Sequence, residues 1–391
     1  MAAKCQEQRP AATEPSTKPR LFVLSDIEAD PHDTQSLIRL LLYSNEIDLE
    51  GLIATTSVLQ KNRVAPESIK RVIAAYGQVQ SNIALHDPAF PQATTLNQLV
   101  GPGQPVYGMG GVGQGKSTEG SRHLIEALEK PDPRPLWVTG WGGPNTLAQA
   151  LFDIRATQSA EEAEQLIAKL RVYTISDQDD SGPWMRREFP ELFSIVSPGG
   201  YGAATWTAIN SVVEGTTIQQ FPTLGSLSTS SRGHGPLGAF YPDTAYGAEG
   251  DTPSFLGLIP NGLNIPERPD WGGWGGRYEL RTPGRATTDP DGFNGGVPVP
   301  PETRPIWTNA VDSFTPYVAK PCGLAIQPMD RTFEGFRETL WRWRDEFQND
   351  FAARMDWTVK KPAETIHPPI VRLAHSDRVT FDPVKQYRLA P

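Results

Sequence analysis

Four carboxylates fall within eight positions near the start of the chain: Asp26, Glu28, Asp30 and Asp33, in the stretch LFVLSDIEADPHDTQSLIRLLLYSN (21–45). Carboxylates held this close repel one another unless a cation or bound protons relieve them. A hard divalent ion takes six to eight oxygen ligands, and Ca²⁺ suits such a loop best. The four are therefore candidate metal ligands. The bland alternative is a solvated acidic turn with Asp33 or Thr34 capping a helix, because Asp is a favoured cap. A second acidic group, Asp177, Asp179 and Asp180, follows the apolar run LRVYTIS (170–176). It reads either as a ligand-binding group or as a helix-capping loop. Glu249 and Asp251 sit among glycines in a long loop, where functional residues concentrate. His234, in the rigid segment RGHGPLGAFYP (232–242), is a candidate proton donor, with a structural histidine as the alternative. Trp271 and Trp274, three apart among glycines in RPDWGGWGGRYEL, are candidates for an aromatic platform. Trp341, Trp343 and Trp357 read as core, and Trp184 fits either role.

These residues need a scaffold, and the apolar pattern supplies one. Leu21 to Leu24 form an apolar run that stops at Ser25, and Leu37, Ile38, Leu40, Leu41 and Leu42 then recur at helical spacing. This predicts a buried parallel strand, a short acidic loop and a helix packed back on the sheet. The carboxyl end of such a strand is where open α/β sheets place their ligands. LEGLIATTS (49–57) reads as a second strand ending in three hydroxyl residues, followed by a helix at 66–80 and a short strand at 82–86. The Gly-rich stretch 99–120 contains the spacing of a phosphate loop from Gly110 to Ser117, without the preceding strand such a loop requires, so ATP binding is not expected. PLWVTGWGG (135–143), LRVYTIS and LFSIVSP (192–198) read as further strands; Pro144 starts one helix and another spans 160–170. The alternation predicts an α/β fold with a mostly parallel central sheet flanked by helices. From about 230 to 310 the chain turns to long Gly-, Pro- and Trp-rich loops of the kind that carry function, and an amphipathic helix near 330–357 closes the series.

Composition sets outer limits. The 391 residues suffice for one large α/β domain or two. With 36 basic against 45 acidic residues the net charge is −9, and no Lys/Arg-rich run appears, so nucleic acid and anionic membranes are not expected partners. No apolar run approaches the roughly 18 residues of a membrane span. Cys5 and Cys322 make neither a disulfide framework nor a zinc site, and Cys322 reads as inert packing. Residues 1–19 read as a disordered polar tail. They contain no apolar signal core, so the chain as written reads as cytoplasmic, or as secreted if a signal has been trimmed from it. Self-association into a homo-oligomer stays open.

The blocks SDIEADPHDTQSLIRLLLYSNEIDLEGLIATTS, TISDQDDSGPWMRREFPELFSIVSP, HGPLG, EGDTPSFLGLIPNGL, WGGWGGRY and WRWRDEFQNDFAARMDW closely resemble the nucleoside-hydrolase-like family once called cellulose-binding proteins. That family resembles the inosine-uridine preferring nucleoside hydrolases. The resemblance spans about 20–368 and implies a nucleoside-hydrolase-like, Rossmann-like core. It leaves 369–391 as an irregular tail in place of the family's β-rich C-terminal domain. True nucleoside hydrolases carry a D-x-D-x-x-x-D-D loop that holds Ca²⁺. On that spacing Asp26 and Glu28 match the first two acids, and His32 and Asp33 fall on the final pair. His32 departs from the pattern, because imidazole is a poor Ca²⁺ ligand; Asp30 is the proposed source of the missing oxygen. Asp251 matches the late Asp that completes the hydrolases' site, and Asn145 of WGGPNTLAQAL matches the Asn of their G-P-L-T-N-L-A segment.

The resemblance implies Ca²⁺-dependent hydrolysis of an N- or O-glycosidic bond in a nucleoside-like or carbohydrate substrate, through an oxocarbenium-like transition state. The ion would hold sugar hydroxyls and the attacking water. Glu28 or Asp33 would take the water's proton and His234 would protonate the leaving group. Asn145, Asp177, Asp179, Glu249, Trp271 and Trp274 would contact the substrate. Two alternatives stand beside this: a non-catalytic carbohydrate-binding protein on the same fold, which His32 favours, and an enzyme repurposed for another small molecule.

Overall fold

The computed structural model describes residues 18–196, 208–209, 233–243, 248–283, 301–319, 326–328 and 330–368. Residues 1–17 of the tail expected at 1–19, the tail at 369–391, Cys5, Cys322 and the last two residues of the 192–198 stretch lie outside the described residues. Lys18 and Pro19 are instead tied to the fold through their carbonyls, which accept from Arg134 Nη1 (2.6 Å) and Asp48 N–H (2.9 Å).

The first strand, β1 (Arg20–Ser25), is apolar without alternation because both of its faces are covered. Leu21 and Val23 enter one core cluster, Phe22 and Leu24 the other. It pairs in parallel with β2 (Asp48–Ala54) on one side and β4 (Leu136–Gly140) on the other. With β3 (Val100–Pro102), β5 (Leu170–Thr174), β6 (Phe193–Val196), β7 (Tyr278–Arg281) and β8 (Ile306–Asn309) they form an eight-stranded sheet in the order β3-β2-β1-β4-β5-β6-β8-β7. All pairs are parallel except β7 with β8. The strand order reverses between β1 and β4, and the crevice at that reversal is where such sheets bind ligands. The sheet is the mostly parallel one expected.

Helices cover both faces. On one lie α1 (His32–Leu41) and α2 (Pro66–His86); on the other lie α4 (Glu119–Glu129) and α5 (Asn145–Thr157), after a short α3 (Ala93–Asn97). Two more, α6 (Ala160–Ala168) and α7 (Ser181–Glu188), follow α5 and β5. The expected strand at 82–86 belongs instead to α2, since Ile83 continues the buried line Val72, Tyr76, Val79 at helical spacing. In the Gly-rich stretch, β3 is followed by a 3₁₀ turn at Gly108–Gly111, and Lys116 Nζ donates back to Gly110 O (2.7 Å) and Val112 O (3.3 Å). The helix expected at 330–357 begins later: Phe333–Gly335 is a strand, Glu338–Trp341 a single turn, and α8 runs from Arg344 to Trp357. Trp341 and Trp357 are buried, as read. Among the described residues no helix is long and apolar enough to cross a membrane.

Candidate functional site

Parallel pairing brings the segments after β1, β2, β4 and β5 to one edge of the sheet. Ser25 lies beside Ala54, Leu24 beside Gly140, and Gly140 beside Thr174. A small pocket opens there, lined by Asp26, Asp30, His32, Asp33, Trp141, Gln178 and Asp251, with Ile175 beside them. Its volume is about 10 Å³, room for one water or one ion.

The loop from β1 to α1 is tied down from several sides. Ala29 N–H donates to Asp26 O (2.9 Å), closing a turn, and Gln60 Nε2 donates to Ile27 O (3.2 Å). Ser25 Oγ donates to Asp33 Oδ1, and Asp30 Oδ1 accepts from His32 N–H (2.7 Å). The fourth carboxylate, Asp251, arrives from a distant loop. Its carbonyl accepts from Ser254 Oγ (2.6 Å), which in turn accepts from Trp141 Nε1 (3.0 Å) and from Thr139 Oγ1 (2.6 Å). Gln178 Nε2 donates to Trp141 O. The four carboxylates thus belong to a hydrogen-bonded frame spanning three strand ends.

Electrostatics confirm that they feel one another. Burial pushes Asp26 up to about 7, with Asp30 adding to the rise and a hydrogen bond from Ser57 opposing it. Burial, then Asp26, Asp251 and Asp30, hold Asp33 well above the usual carboxylate range. Asp251 is raised by burial and by Asp30 and Asp26, and its buried Oδ2 has no hydrogen-bond partner among the described residues.

A hard divalent cation fits this donor set in chemical type. The pocket offers four carboxylates, one with an orphaned buried oxygen, around an ion-sized space. No three His, Cys, Asp or Glu side chains among the described residues stand in an ion-holding arrangement as placed. The reason is local: Asp33 is turned to Ser25, and the Asp26 carboxyl hydrogen-bonds toward Ser57 and Asp33. Here the Ser25 and Ser57 hydroxyls offset part of the repulsion, and side-chain rotation would be needed to converge on an ion.

Gly142 makes the close approach feasible. A Cβ there would stand 2.7 Å from Asp26 Cβ and 2.9 Å from its Oδ1, closer than side chains approach. Gly142→Ala is expected to displace Asp26 at about 1–3 kcal/mol, the usual range for overpacking. If the pocket takes Ca²⁺, the same substitution should weaken that binding at least tenfold in calorimetric titration. An unchanged affinity would dissociate Asp26 from the ion.

Several expected site residues stand elsewhere. Glu28 adopts φ +81°, which turns its side chain away from the pocket, where Ser68 Oγ, Arg63 and Arg71 (3.0 Å) bind it. The D-x-D spacing assumes an extended loop, and this turn breaks it. Asp30 lines the pocket instead. His234 is not among the lining residues: its Nε2 meets Asp356 Oδ1 at 2.8 Å, and its helix packs on α2. Asn145 is fully buried in a frame, accepting from Thr55 Oγ1 (3.1 Å) and donating to Thr56 Oγ1 (3.0 Å) and Val106 O (2.8 Å). Asp177 is locked by Arg186 (2.7 and 2.8 Å), which also holds Glu302. Asp179 accepts from Ser181 N–H (2.8 Å) and Ser181 Oγ behind Gly143, and burial pushes it up to about 7. Glu249 is buried against Arg39 (2.5 Å) and Tyr241 Oη (2.8 Å). Trp271 is exposed with Arg268 4.5 Å from its ring centre, whereas Trp274 packs inward on Phe347, so the two do not form one platform. Residues not singled out from the sequence complete the pocket: Trp141 and Gln178 in its wall, and Ser25 and Gln60 behind it. For Ser25, Trp141 and Gln178 the one signal was position, at or shortly after a strand's carboxyl end; Gln60, six residues beyond β2, carried none.

Comparison with known proteins gives the family. The description of the cellulose-binding Sde182, nucleoside hydrolase-like domain matches residues 20–278. A solved nucleoside hydrolase-related hypothetical protein from Saccharophagus degradans, associated with carbohydrate metabolism, is 34% identical with a TM-score of 0.71; the match covers 89% of this chain and 74% of that one. An inosine-uridine preferring nucleoside hydrolase from Bacillus anthracis is 13% identical with a TM-score of 0.38, over 88% of this chain and 100% of that one. Among curated proteins none matches. On the family match and the 34% identity, this chain belongs to the cellulose-binding Sde182, nucleoside hydrolase-like domain family.

Proposed function

We propose that the acidic pocket binds a divalent cation, Ca²⁺ by donor chemistry, and that the protein hydrolyses a glycosidic bond in a carbohydrate-like substrate. The observation that carries this is that Asp26, Asp30 and Asp33 line one ion-sized space together with Asp251, which lies more than 200 residues away in the chain. When bound, the ion supplies a template for sugar hydroxyls and a water of lowered pKa. Asp26, Asp30, Asp33 and Asp251 are the residues to hold it. Asp33, buried and bonded to Ser25 Oγ, is the carboxylate to accept a proton. Trp141 and Ile175 wall the pocket from water, and Gln178 fixes Trp141 by its carbonyl. His32 is the imidazole at the pocket, which moves the candidate proton donor from His234 to His32.

A second reading has its own observation. His32, an imidazole and a poor Ca²⁺ ligand, lines the acidic pocket, which favours carbohydrate binding on the same fold without cleavage. Elemental analysis after dialysis against Ca²⁺, paired with assays on aryl glycosides and inosine, separates the two. The hydrolase reading expects about one ion per chain and turnover that a chelator abolishes. Bound metal with saturable glycan binding and no turnover selects the second reading; no metal at millimolar Ca²⁺ removes the first.

A further inference from the structure

A second polar depression adjoins the acidic loop on its outer side. It holds about 260 Å³ and is lined by Glu28, Ala29, Gln60, Lys61, Asn62 and Arg63. That approaches the lower end of the ~300–1,000 Å³ typical of small-molecule sites. We propose that this depression binds the anionic part, a carboxylate or phosphate, of a small sugar-like ligand lying beside the cation pocket. The sugar-like character of the ligand and its place next to a reacting centre rest on the function proposed above.

Charge is the first ground. The chain carries −9 overall and the adjoining pocket holds four carboxylates. Yet Lys61 and Arg63 line this depression with Glu28 as its one lining carboxylate, which Arg71 also pairs from outside. A local positive field on an acidic protein concentrates anions. The second ground is unspent donor capacity. Arg63 meets Glu28 through Nη1, and a guanidinium has five N–H donors in all. Lys61 lies over the Tyr107 ring, its Nζ 5.0 Å from the ring centre. Both can close on a carboxylate or phosphate with charge-assisted hydrogen bonds. The third ground is how the wall is built. Glu28 sits at φ +81°, a backbone region that non-glycine residues rarely occupy. That turn removes its carboxylate from the acidic pocket and makes it part of the depression, clamped by Ser68 and the two arginines. Gln60 lines the depression while donating to Ile27 O (3.2 Å), so one pinned loop separates the two spaces.

The test is calorimetric titration of the full chain in chelator with glucose 6-phosphate, glucuronate, inorganic phosphate and glucose as probes. At least one anionic sugar should bind tenfold or more tighter than glucose, and which one does distinguishes phosphate from carboxylate. Lys61→Ala and Arg63→Ala should each weaken that binding about tenfold, the scale of one charge-assisted hydrogen bond. Glu28→Gln should tighten it by removing the competing charge. The proposal is overturned by equal affinity for glucose, by absence of saturable anionic-sugar binding, or by inorganic phosphate matching the phosphosugar. Indifference to Lys61→Ala and Arg63→Ala, or weakening in Glu28→Gln, overturns it too. Because the titration is metal-free, a failed cation site with intact anion binding refutes the hydrolase reading alone.

Discussion

Adding Ca²⁺ to the purified protein is expected to raise its melting temperature by several degrees, and Asp251→Asn is expected to erase the rise. A ligand that binds only the folded state stabilises it by RT ln(1 + [L]/Kd), about 2.7 kcal/mol at a hundredfold excess over Kd. Asp251 is the sensitive position because its Oδ2 is buried without a partner among the described residues. An isosteric amide keeps the shape and the backbone contact to Ser254 but removes the charge the ion requires. Without metal the sign reverses. A buried carboxylate surrounded by Asp26, Asp30 and Asp33 is destabilising, so metal-free Asp251→Asn should melt no lower than the parent. Scanning fluorimetry with Ca²⁺ or chelator reads both effects. Tb³⁺ luminescence, sensitised through Trp141 in the pocket wall, reports the same site directly. A Ca²⁺ shift that survives Asp251→Asn would place the ion elsewhere.

Most of the fold was legible because parallel strands buried on both faces leave unbroken apolar runs ending in polar loops. Leu21 to Leu24 and the run at 170–174 are of that kind. What failed was local. Residues 82–86 read as a strand in isolation, but their burial follows the period of the helix before them, and a five-residue window is too short to show that period. The order β6-β8-β7 was not legible at all, since β8 follows β6 by more than a hundred residues.

The site was legible in its carboxylates and not in its geometry. Spacing marked Asp26, Asp30 and Asp33, a glycine-bearing long loop and the family resemblance marked Asp251, and the sheet brings all four to one pocket. Spacing also marked Glu28, which a single left-handed residue turns outward; nothing in D-I-E-A-D announces that rotation, because Glu is rarely chosen for positive φ. Asp177 and Glu249 show a second limit. Each acid is recognisable, but whether it faces a ligand or a buried arginine depends on residues distant in sequence. Here those partners are Arg186 and Arg39.

Arg39→Met should cost about 3–5 kcal/mol, the range for breaking a buried ion pair by removing one partner. Arg39 is fully buried and meets Glu249 at 2.5 Å. It also donates to Gln348 Oε1, and its guanidinium lies 4.0 Å from the Phe351 ring centre, which ties α1 to α8. Removing it strands the Glu249 carboxylate, already raised by burial, with Tyr241 Oη (2.8 Å) as a remaining partner. Arg39→Met/Glu249→Gln should therefore recover much of the loss, since neither substituted side chain carries a charge. The pair has a functional reach as well. Asp33 stands in the first turn of α1, Gln35 Oε1 of the same helix accepts from Glu249 N–H (2.7 Å), and Asp251 follows two residues later. Arg39 and Glu249 thus help set the distance between the two halves of the acidic cluster. The double variant should regain stability while its Ca²⁺ affinity stays reduced, because an amide holds the 249–251 loop less firmly than the ion pair. Denaturant titration together with Ca²⁺ calorimetry decides it: a single variant within about 1 kcal/mol of the parent, well below the range for a broken buried pair, would mean that water reaches Glu249 and that the loop is anchored by Gln35 and Tyr241 instead.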